Sequence, residues 1–235
     1  MTSLSHSGIL WSKIGLAEQR LAFVSRRFWK HAELRRLYPR FLRELHSSMC
    51  CGLALMIAVR DRARQFASDQ VAARTAKYLT IHVEEELHHD EWLLDDMAAI
   101  GMDRSQVLAR APSPAVASLV GAQYCWAFQV HPVVVLGYLA VLEGNPPLAE
   151  QLQEIEIRTG YPREAFRCLL EHAERDPFHI EELNRTLDEM PLSAEYSALI
   201  AMSAFHTIDA LSCLFEDMLD SYEDFPQPSS CKLVA

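Results

Sequence analysis

The chain has 235 residues, half of them hydrophobic, and carries a formal net charge of -10. This length is sufficient for one large helical domain with a full hydrophobic core. The acidic balance argues against a nucleic-acid partner, which normally meets a basic patch on the protein surface. We therefore expect the partner to be a small molecule.

The N-terminal segment and the cysteines indicate the compartment. Residues 1–13 lack the basic stretch and long apolar run that mark a signal peptide. The longest apolar runs, 53–59 and 133–142, are far shorter than the ~20 residues that span a bilayer. The six cysteines show no CxxC spacing, and free thiols are typical of a reducing compartment. We expect a cytoplasmic protein with no membrane association.

Apolar residues recur at helical spacing along most of the chain, and no stretch alternates as a strand would. The first helix is predicted over 9–28. The second runs over 29–67 and bends at Pro39. The third starts at the capping residues Ser68 and Asp69 and ends at Gly101, which suits the left-handed position after a helix.

Further helices are predicted in the second half of the chain. They cover 115–130, 132–143 and 148–159, then a seventh that carries the segment HAERDPFH, and a long final helix over 193–222. No linker or internal repeat divides the chain. The sequence therefore predicts one all-α domain of about seven core helices over residues 1–222, followed by a flexible C-terminal tail over 223–235.

The seventh helix carries an inward stripe of polar residues. His172, Asp176 and His179 have offsets i, i+4 and i+7, which place them within roughly 60° of one another. Apolar residues extend the same stripe, so it faces a core, where such groups are costly unless they are paired or bind a metal. Pro177 should kink this helix near Ala173, which could re-aim His179. The alternative is a solvated helix with scattered polar residues.

The third helix carries a second cluster. Glu86 and His89 share its inward face at i, i+3, the spacing used in carboxylate-bridged di-iron bundles. Glu85 and His88 have the same spacing, and His82 lies near the edge of this face, so these three are alternative ligands. We prefer Glu86 and His89, because the residues after them continue the core face while His88 shares its side with acidic surface residues.

Glu143 completes the candidate set. It closes the apolar helix 132–143 on the side of that helix's core residues. The proposed donors are three imidazoles and three carboxylates: Glu86, His89, Glu143, His172, Asp176 and His179. These nitrogen and oxygen donors suit two iron or manganese ions better than a zinc ion in a closed thiolate site. Such a composition favours oxygen chemistry.

The segments HVEEELHHDEWLLDD, GYLAVLEGNPP and HAERDPFHIEEL, with the earlier YPRFLRELH, resemble the heme-oxygenase-like diiron oxidases and oxygenases. This family of iron-containing redox enzymes is related in fold to heme oxygenase and to the thiamine-salvage TenA proteins. Ferritin-like di-iron proteins use two Glu-x-x-His motifs, and only the third helix here offers any. The resemblance implies a compact seven-helix bundle, two Fe(II) ions, dioxygen as co-substrate and at least one bridging Glu.

The resemblance does not choose the reaction. Members of the family decarboxylate fatty acids, fragment or desaturate amino acids, or oxygenate amine nitrogens. We expect an amino acid or an amine, because no run is distinguishable as the lining of a long acyl tunnel. Candidate pocket residues are Tyr138, Trp126 and Arg167, although a structural role is the commoner outcome for each.

Two other classes of function stay open at this point. One is a metal-free relative on the same fold, either a thiaminase-like hydrolase or a cofactorless oxidase. The other is a non-catalytic helical protein whose buried polar groups only pair with one another. The sequence is compatible with a homodimer and does not identify an external electron donor.

Overall fold

The computed structural model describes residues 5–66 and 68–220, which form eleven α-helices and two short 3-10 turns. The helices are α1 (His6–Ala17), α2 (Gln19–Trp29), α3 (Leu34–Ala63), α4 (Gln70–Glu86), α5 (His89–Ala99), α6 (Arg104–Leu108), α7 (Pro114–Gln129), α8 (Val135–Glu143), α9 (Ala149–Thr159), α10 (Arg167–Glu189) and α11 (Ala194–Asp220), and the turns are Pro132–Val134 and Arg163–Phe166. These described ranges contain no strand, so the all-α prediction is confirmed. The predicted tail over 223–235 and the predicted helix ends at residues 67 and 222 lie outside the described residues.

The two longest apolar helices, α3 and α11, build much of the core. Both are long and apolar enough to cross a membrane by length and composition alone. In the structure α3 packs against α4, α5 and α7, while α11 packs against α8, α2 and α7. Their apolar faces thus contribute to the bundle core, and the absence of membrane association stays a prediction.

Helix α8 is buried on almost every side, as its uninterrupted apolar sequence predicts. It approaches the backbone of α11 so closely that a Cβ atom at Gly137 would lie 2.0 Å from the Ile200 carbonyl oxygen. Only glycine allows this approach. The contact fixes the position of α8 against α11. Glu143, the last residue of α8, is buried in the bundle interior.

Two predicted helices are each divided in the structure, which corrects the sequence prediction. The first is interrupted at Glu18, and the third at Leu87 and His88, where His88 adopts the left-handed conformation with φ 72°. Neither break contains glycine or proline, so no breaker residue marked them. Histidine tolerates positive φ better than most residues do. The third helix otherwise ends as predicted, with Gly101 at φ 82°.

Smaller differences concern helix ends. Helix α3 begins at Leu34 and ends at Ala63, and it holds Pro39 within its length. The five-residue helix α6 was not predicted, since its sequence is too short to show a period. The sequence outlines eight helical segments, about seven of them core helices, and the two divisions and the additional α6 bring the number in the described residues to eleven.

Candidate metal centre

Helix α10 presents the predicted polar stripe to the bundle interior. It is α-helical from Arg167 to Glu189 with Pro177 inside it, and it packs against α4, α5 and α8. Asp176 and His179 are buried, and His172 is partly buried. All three face the ends of α4 and α8, where the other predicted donors lie.

Asp96 fixes the start of α10. Its carboxylate is fully buried and accepts hydrogen bonds from the backbone N–H groups of Arg167 at 3.2 Å and Cys168 at 3.0 Å. Burial raises the pKa of Asp96 to about 6, although these two hydrogen bonds oppose the shift. The sequence places Asp96 on a core face, and its role as the cap of another helix emerges only from the structure.

Helix α4 is fixed at its start by Asp69. The carboxylate accepts hydrogen bonds from the N–H groups of Val71 and Ala72, as predicted for an N-cap, and also from the hydroxyl of Tyr196 at 2.8 Å. His131 Nε2 lies 3.2 Å from the same carboxylate. Asp69 thus joins α4 to α11 and to the turn before α8, which sets the direction in which α4 enters the site.

One group of donors consists of Glu86, His89 and His172. His89 Nδ1 lies 3.0 Å and His172 Nε2 lies 3.8 Å from Glu86 Oε2, and the two rings meet edge to face with centroids 5.0 Å apart. His172 Nδ1 lies 2.8 Å from the Cys168 carbonyl oxygen and must donate to it. This hydrogen bond uses Nδ1 as a donor, so Nε2 is the ring nitrogen of His172 that faces Glu86.

A second group surrounds His179. Its Nδ1 lies 3.8 Å from Glu143 Oε2 and from Asp176 Oδ1, while its Nε2 lies 3.8 Å from Glu85 Oε2. His82 Nε2 approaches Glu143 Oε1 at 2.8 Å, outside hydrogen-bond alignment, and its ring stands edge to face with that of His179. The structure therefore adds two of the alternative residues, His82 and Glu85, to the six preferred ones.

Glu86 connects the two groups. Its Oε2 faces His89 and His172, whereas its Oε1 lies 3.8 Å from Nδ1 of His179. Donors bound to one ion at about 2.1 Å lie about 3.0–3.5 Å apart, and the spacings of 3.0 and 3.8 Å are within a few tenths of an ångström of that range. A single carboxylate thus presents one oxygen to each group of donors.

The ionisable groups of the cluster shift one another's pKa values. Burial raises the pKa of Asp176 to about 7, with Glu143 and Glu86 adding to the shift. Burial alone would lower the pKa of both His82 and His172, but Glu143 raises the pKa of His82 to about 9, and Cys168 and Glu86 raise the pKa of His172 to about 11. Burial also opposes ionisation of Glu86, yet His172 and His89 hold its pKa well below the usual range. The carboxylates thus favour positive charge in this space, which is the charge that a metal ion would bring.

Several donor atoms of the cluster are buried and have no hydrogen-bond partner within residues 5–66 and 68–220. They are His82 Nε2, Glu143 Oε2, Asp176 Oδ1 and His179 Nδ1. Unsatisfied buried polar atoms are rare in native proteins, and each costs about 1–3 kcal/mol. Four of them directed at one small space are the arrangement expected of ligands for a metal.

Three of the sequence-predicted residues lie away from this cluster. His88 is exposed in the break between α4 and α5. Trp126 packs edge to face on His206, with centroids 5.2 Å apart. The Arg167 guanidinium lies over the ring of Trp92 and 3.7 Å from Asp95.

Tyr138, the remaining candidate, is fully buried on α8. A Cβ atom at Gly52 would lie 2.9 Å from its hydroxyl, so the ring is packed against α3. Burial raises the pKa of this phenol, and Glu143 adds to the effect. Tyr138 therefore stands near the cluster as a neutral side chain.

A further group with metal-ligand chemistry was not found from the sequence. His46 and Cys50 on α3 and Asp90 on α5 each offer a donor atom within 4.8 Å of the others. Cys50 Sγ lies 3.6 Å from His46 Nε2, the i, i+4 neighbour on the same helix. That HxxxC spacing was the one available signal, and only the fold brings Asp90 beside it.

Residues 53–211 match the model of a family described as iron-containing redox enzymes. This segment is more than half of the chain and contains every residue of the cluster. The chain belongs to this family. The resemblance inferred from the motifs is thereby confirmed at the level of iron-containing redox enzymes. No curated protein matches the chain.

Solved structures with the same architecture exist. A domain of unknown function with a heme oxygenase-like fold from Shewanella denitrificans is 20% identical, with a TM-score of 0.74 over 92% of this chain and 90% of that one. A TenA homologue from Pseudomonas syringae pv. tomato is 14% identical, with a TM-score of 0.66 over 90% and 91%. At such identities the likeness shows the fold alone. The predicted heme-oxygenase-like bundle is confirmed.

Proposed function

We propose that this iron-containing redox enzyme binds two ferrous ions in the cluster and uses dioxygen to oxidise a small molecule. The observation that carries the proposal is the position of Glu86, whose two oxygens face two different histidine groups. A carboxylate that binds a single ion would need only one group of histidines beside it. Glu86 would therefore help to hold both ions.

The donor set fits two such ions. Glu86, His89 and His172 would hold one ion, and the donors around His179 would hold the other: His82, Glu85, Glu143, Asp176 and His179. The four carboxylates of the cluster balance the charge of two divalent cations. Nitrogen and oxygen donors without thiolate favour iron or manganese over a structural zinc ion.

Bound ferrous ions would supply the redox chemistry by which dioxygen is reduced and the substrate oxidised. The protein's own residues hold the site in place. Asp96 and Asp69 fix the starts of α10 and α4, so their donors are placed by rigid helices. The Cys168 carbonyl accepts a hydrogen bond from His172 Nδ1 and so orients the imidazole.

Tyr78 supplies a protonated group beside the cluster. Its ring stacks on His82 with centroids 5.3 Å apart, and its hydroxyl is buried with no partner in the part of the chain that the structure describes. Burial raises the pKa of this phenol well above its usual value, and the neighbouring carboxylates, Glu143 foremost, raise it further. Tyr78 therefore keeps its proton and can donate a hydrogen bond into the site.

We propose an amino acid or an amine as the substrate. The chain carries a net charge of -10, which attracts an ammonium group and repels the carboxylate of a fatty acid. This charge favours an amine over the fatty-acid alternative.

The metal-free hydrolase is the second candidate, because a TenA homologue shares the fold. A hydrolase of that kind would need an activated nucleophile such as a thiolate. Cys168 is the cysteine nearest the cluster, with Sγ 3.6 Å from His172 Nδ1, yet it is fully buried. Burial raises its pKa, which keeps it a thiol, so this candidate is disfavoured.

Oxygen uptake by the iron-loaded protein tests the proposal. Amino acids, amines and fatty acids are supplied in turn, and we expect uptake to rise with a member of the first two classes. His172→Ala should abolish the increase, whereas the exposed His88→Asn should leave it unchanged. Turnover that persists under a chelator and without oxygen would contradict the proposal and favour the hydrolase.

A further inference from the structure

A cavity of about 410 Å³ lies between the N-terminal half of α3 and the segment joining α6 to α7. From α3 it is lined by Arg40, Arg43, Glu44 and Ser47, which share one helix face at i, i+3, i+4 and i+7. Arg110 lines it from the joining segment. None of the lining residues belongs to the candidate metal centre, and those on α3 precede the segment that matches the family.

The lining of this cavity is strongly basic. Three guanidinium groups and one carboxylate line it, within a chain of net charge -10. Burial lowers the pKa of Arg43, and repulsion from Arg110 and Arg40 lowers it further, while Glu44 opposes the shift. The positive charges are therefore close enough to destabilise one another, and an anion between them would relieve this repulsion.

Arg40 also lacks a hydrogen-bond acceptor. Its Nη1 atom is buried and has no partner among the described residues. Glu44, the carboxylate that lines the cavity, accepts the hydroxyl of Ser113 at 2.6 Å and makes no hydrogen bond to this Arg40 nitrogen. A buried donor without an acceptor is costly, so an acceptor supplied by a ligand would be stabilising.

The N-terminus of α7 adds to the positive potential. Ser113 and Pro114 line the cavity, and Ser113 caps α7 by accepting the N–H of Val116 at 3.3 Å. This helix has 16 residues, and the N-terminus of such a helix carries a partial positive charge. The cavity therefore combines three guanidinium groups with a helix end of the same sign.

We propose that this cavity binds a small phosphate-bearing molecule. Guanidinium groups match the oxygens of a phosphate in bidentate geometry, and the negative charge of a dianionic phosphate would offset the repulsion among the three arginines. A dicarboxylate shares this dianionic chemistry, so the experiment must separate the two. The volume leaves room for an organic group beyond the phosphate.

Isothermal titration calorimetry at constant ionic strength tests the proposal with inorganic phosphate, pyrophosphate, succinate and acetate. We expect phosphate and pyrophosphate to bind, and acetate not to bind. Arg40→Gln and Arg110→Gln should each weaken binding about tenfold or more, because each removes a charge-assisted hydrogen bond. Glu44→Gln should strengthen it severalfold, since it removes a competing negative charge. Arg26→Gln, an exposed arginine on α2, is the matched control and should change nothing.

Each contrary result has a definite meaning. Succinate binding more tightly than phosphate would overturn the assignment to phosphate, and binding retained in both arginine variants would overturn the site. If Arg40→Gln fails to fold, Arg110→Gln still decides, because its residue is exposed on a connecting segment. The affinity for phosphate should be the same with and without iron, so the phosphate site and the metal centre are tested independently.

Discussion

Replacement of Gly137 by alanine tests how α8 is seated in the bundle. The added Cβ atom would lie 2.0 Å from the Ile200 carbonyl oxygen and 2.9 Å from the backbone nitrogen of Ala204. The first distance is more than an ångström short of ordinary contact, and both neighbours are backbone atoms that cannot rotate away. Helices α8 and α11 must therefore separate.

The expected cost follows from overpacking. Such insertions typically destabilise a protein by about 1–3 kcal/mol, and a clash with backbone belongs at the upper end. The higher helix propensity of alanine would offset this loss of unfolding free energy by at most ~1 kcal/mol. For a chain of this size we expect the melting temperature to fall by about 4–8 °C. Iron binding should weaken as well, because Glu143 lies at the end of the displaced helix.

Thermal and urea unfolding followed by circular dichroism measure the effect. Gly121→Ala is the matched control: this glycine lies inside α7, and a Cβ there meets no atom within 4 Å. The control should raise the stability by up to about 1 kcal/mol. If Gly137→Ala is as stable as Gly121→Ala, the close approach of α8 and α11 is wrong.

Other predictions concern the buried carboxylates that fix the helix starts. Asp96→Asn loses one acceptor oxygen for the N–H groups of Arg167 and Cys168 and should cost about 1–3 kcal/mol in urea unfolding. Burial raises the pKa of Asp96 to about 6, above its unfolded value of 3.8, so the folded state binds this proton more tightly. The contribution of Asp96 to the free energy of unfolding therefore falls as the pH rises from 4 to 6. The cost of Asp96→Asn should therefore shrink as the pH rises through that window, and a constant cost would contradict the shift. Asp69→Ala removes four contacts at the start of α4 and should lower the free energy of unfolding by about 2 kcal/mol. The control is Asp103→Ala at the N-cap of the five-residue α6, which should lower it by less than about 1 kcal/mol. Equal losses in the two variants would contradict the role of Asp69.

The fold class could be predicted because helical periodicity is a local signal. The breaks at Glu18 and His88 could not, since no glycine or proline marks them and packing between helices decides where the backbone turns. The break before His89 also means that Glu86 and His89 meet across a turn. The spacing was read correctly, although the continuous helix assumed for it was wrong.

Part of the candidate metal centre could be predicted because it also depends on helical periodicity. His172, Asp176 and His179 share one helix, so their common face follows from the period alone. The approach of His82 to Glu143 joins two helices far apart in the chain, and no local pattern reports such a contact. Conversely, Arg167 suggested a pocket by its chemistry, but its side chain contacts Asp95 and Trp92.

Anaerobic titration of the apoprotein with ferrous iron, followed by equilibrium dialysis, measures how many ions the cluster binds. We expect about two tightly bound irons per chain, fewer in His172→Ala, and the same number in His88→Asn as in the parent protein. Asparagine at position 88 preserves the left-handed backbone conformation. No bound iron, or a stoichiometry that His172→Ala leaves unchanged, would contradict the proposed diiron centre.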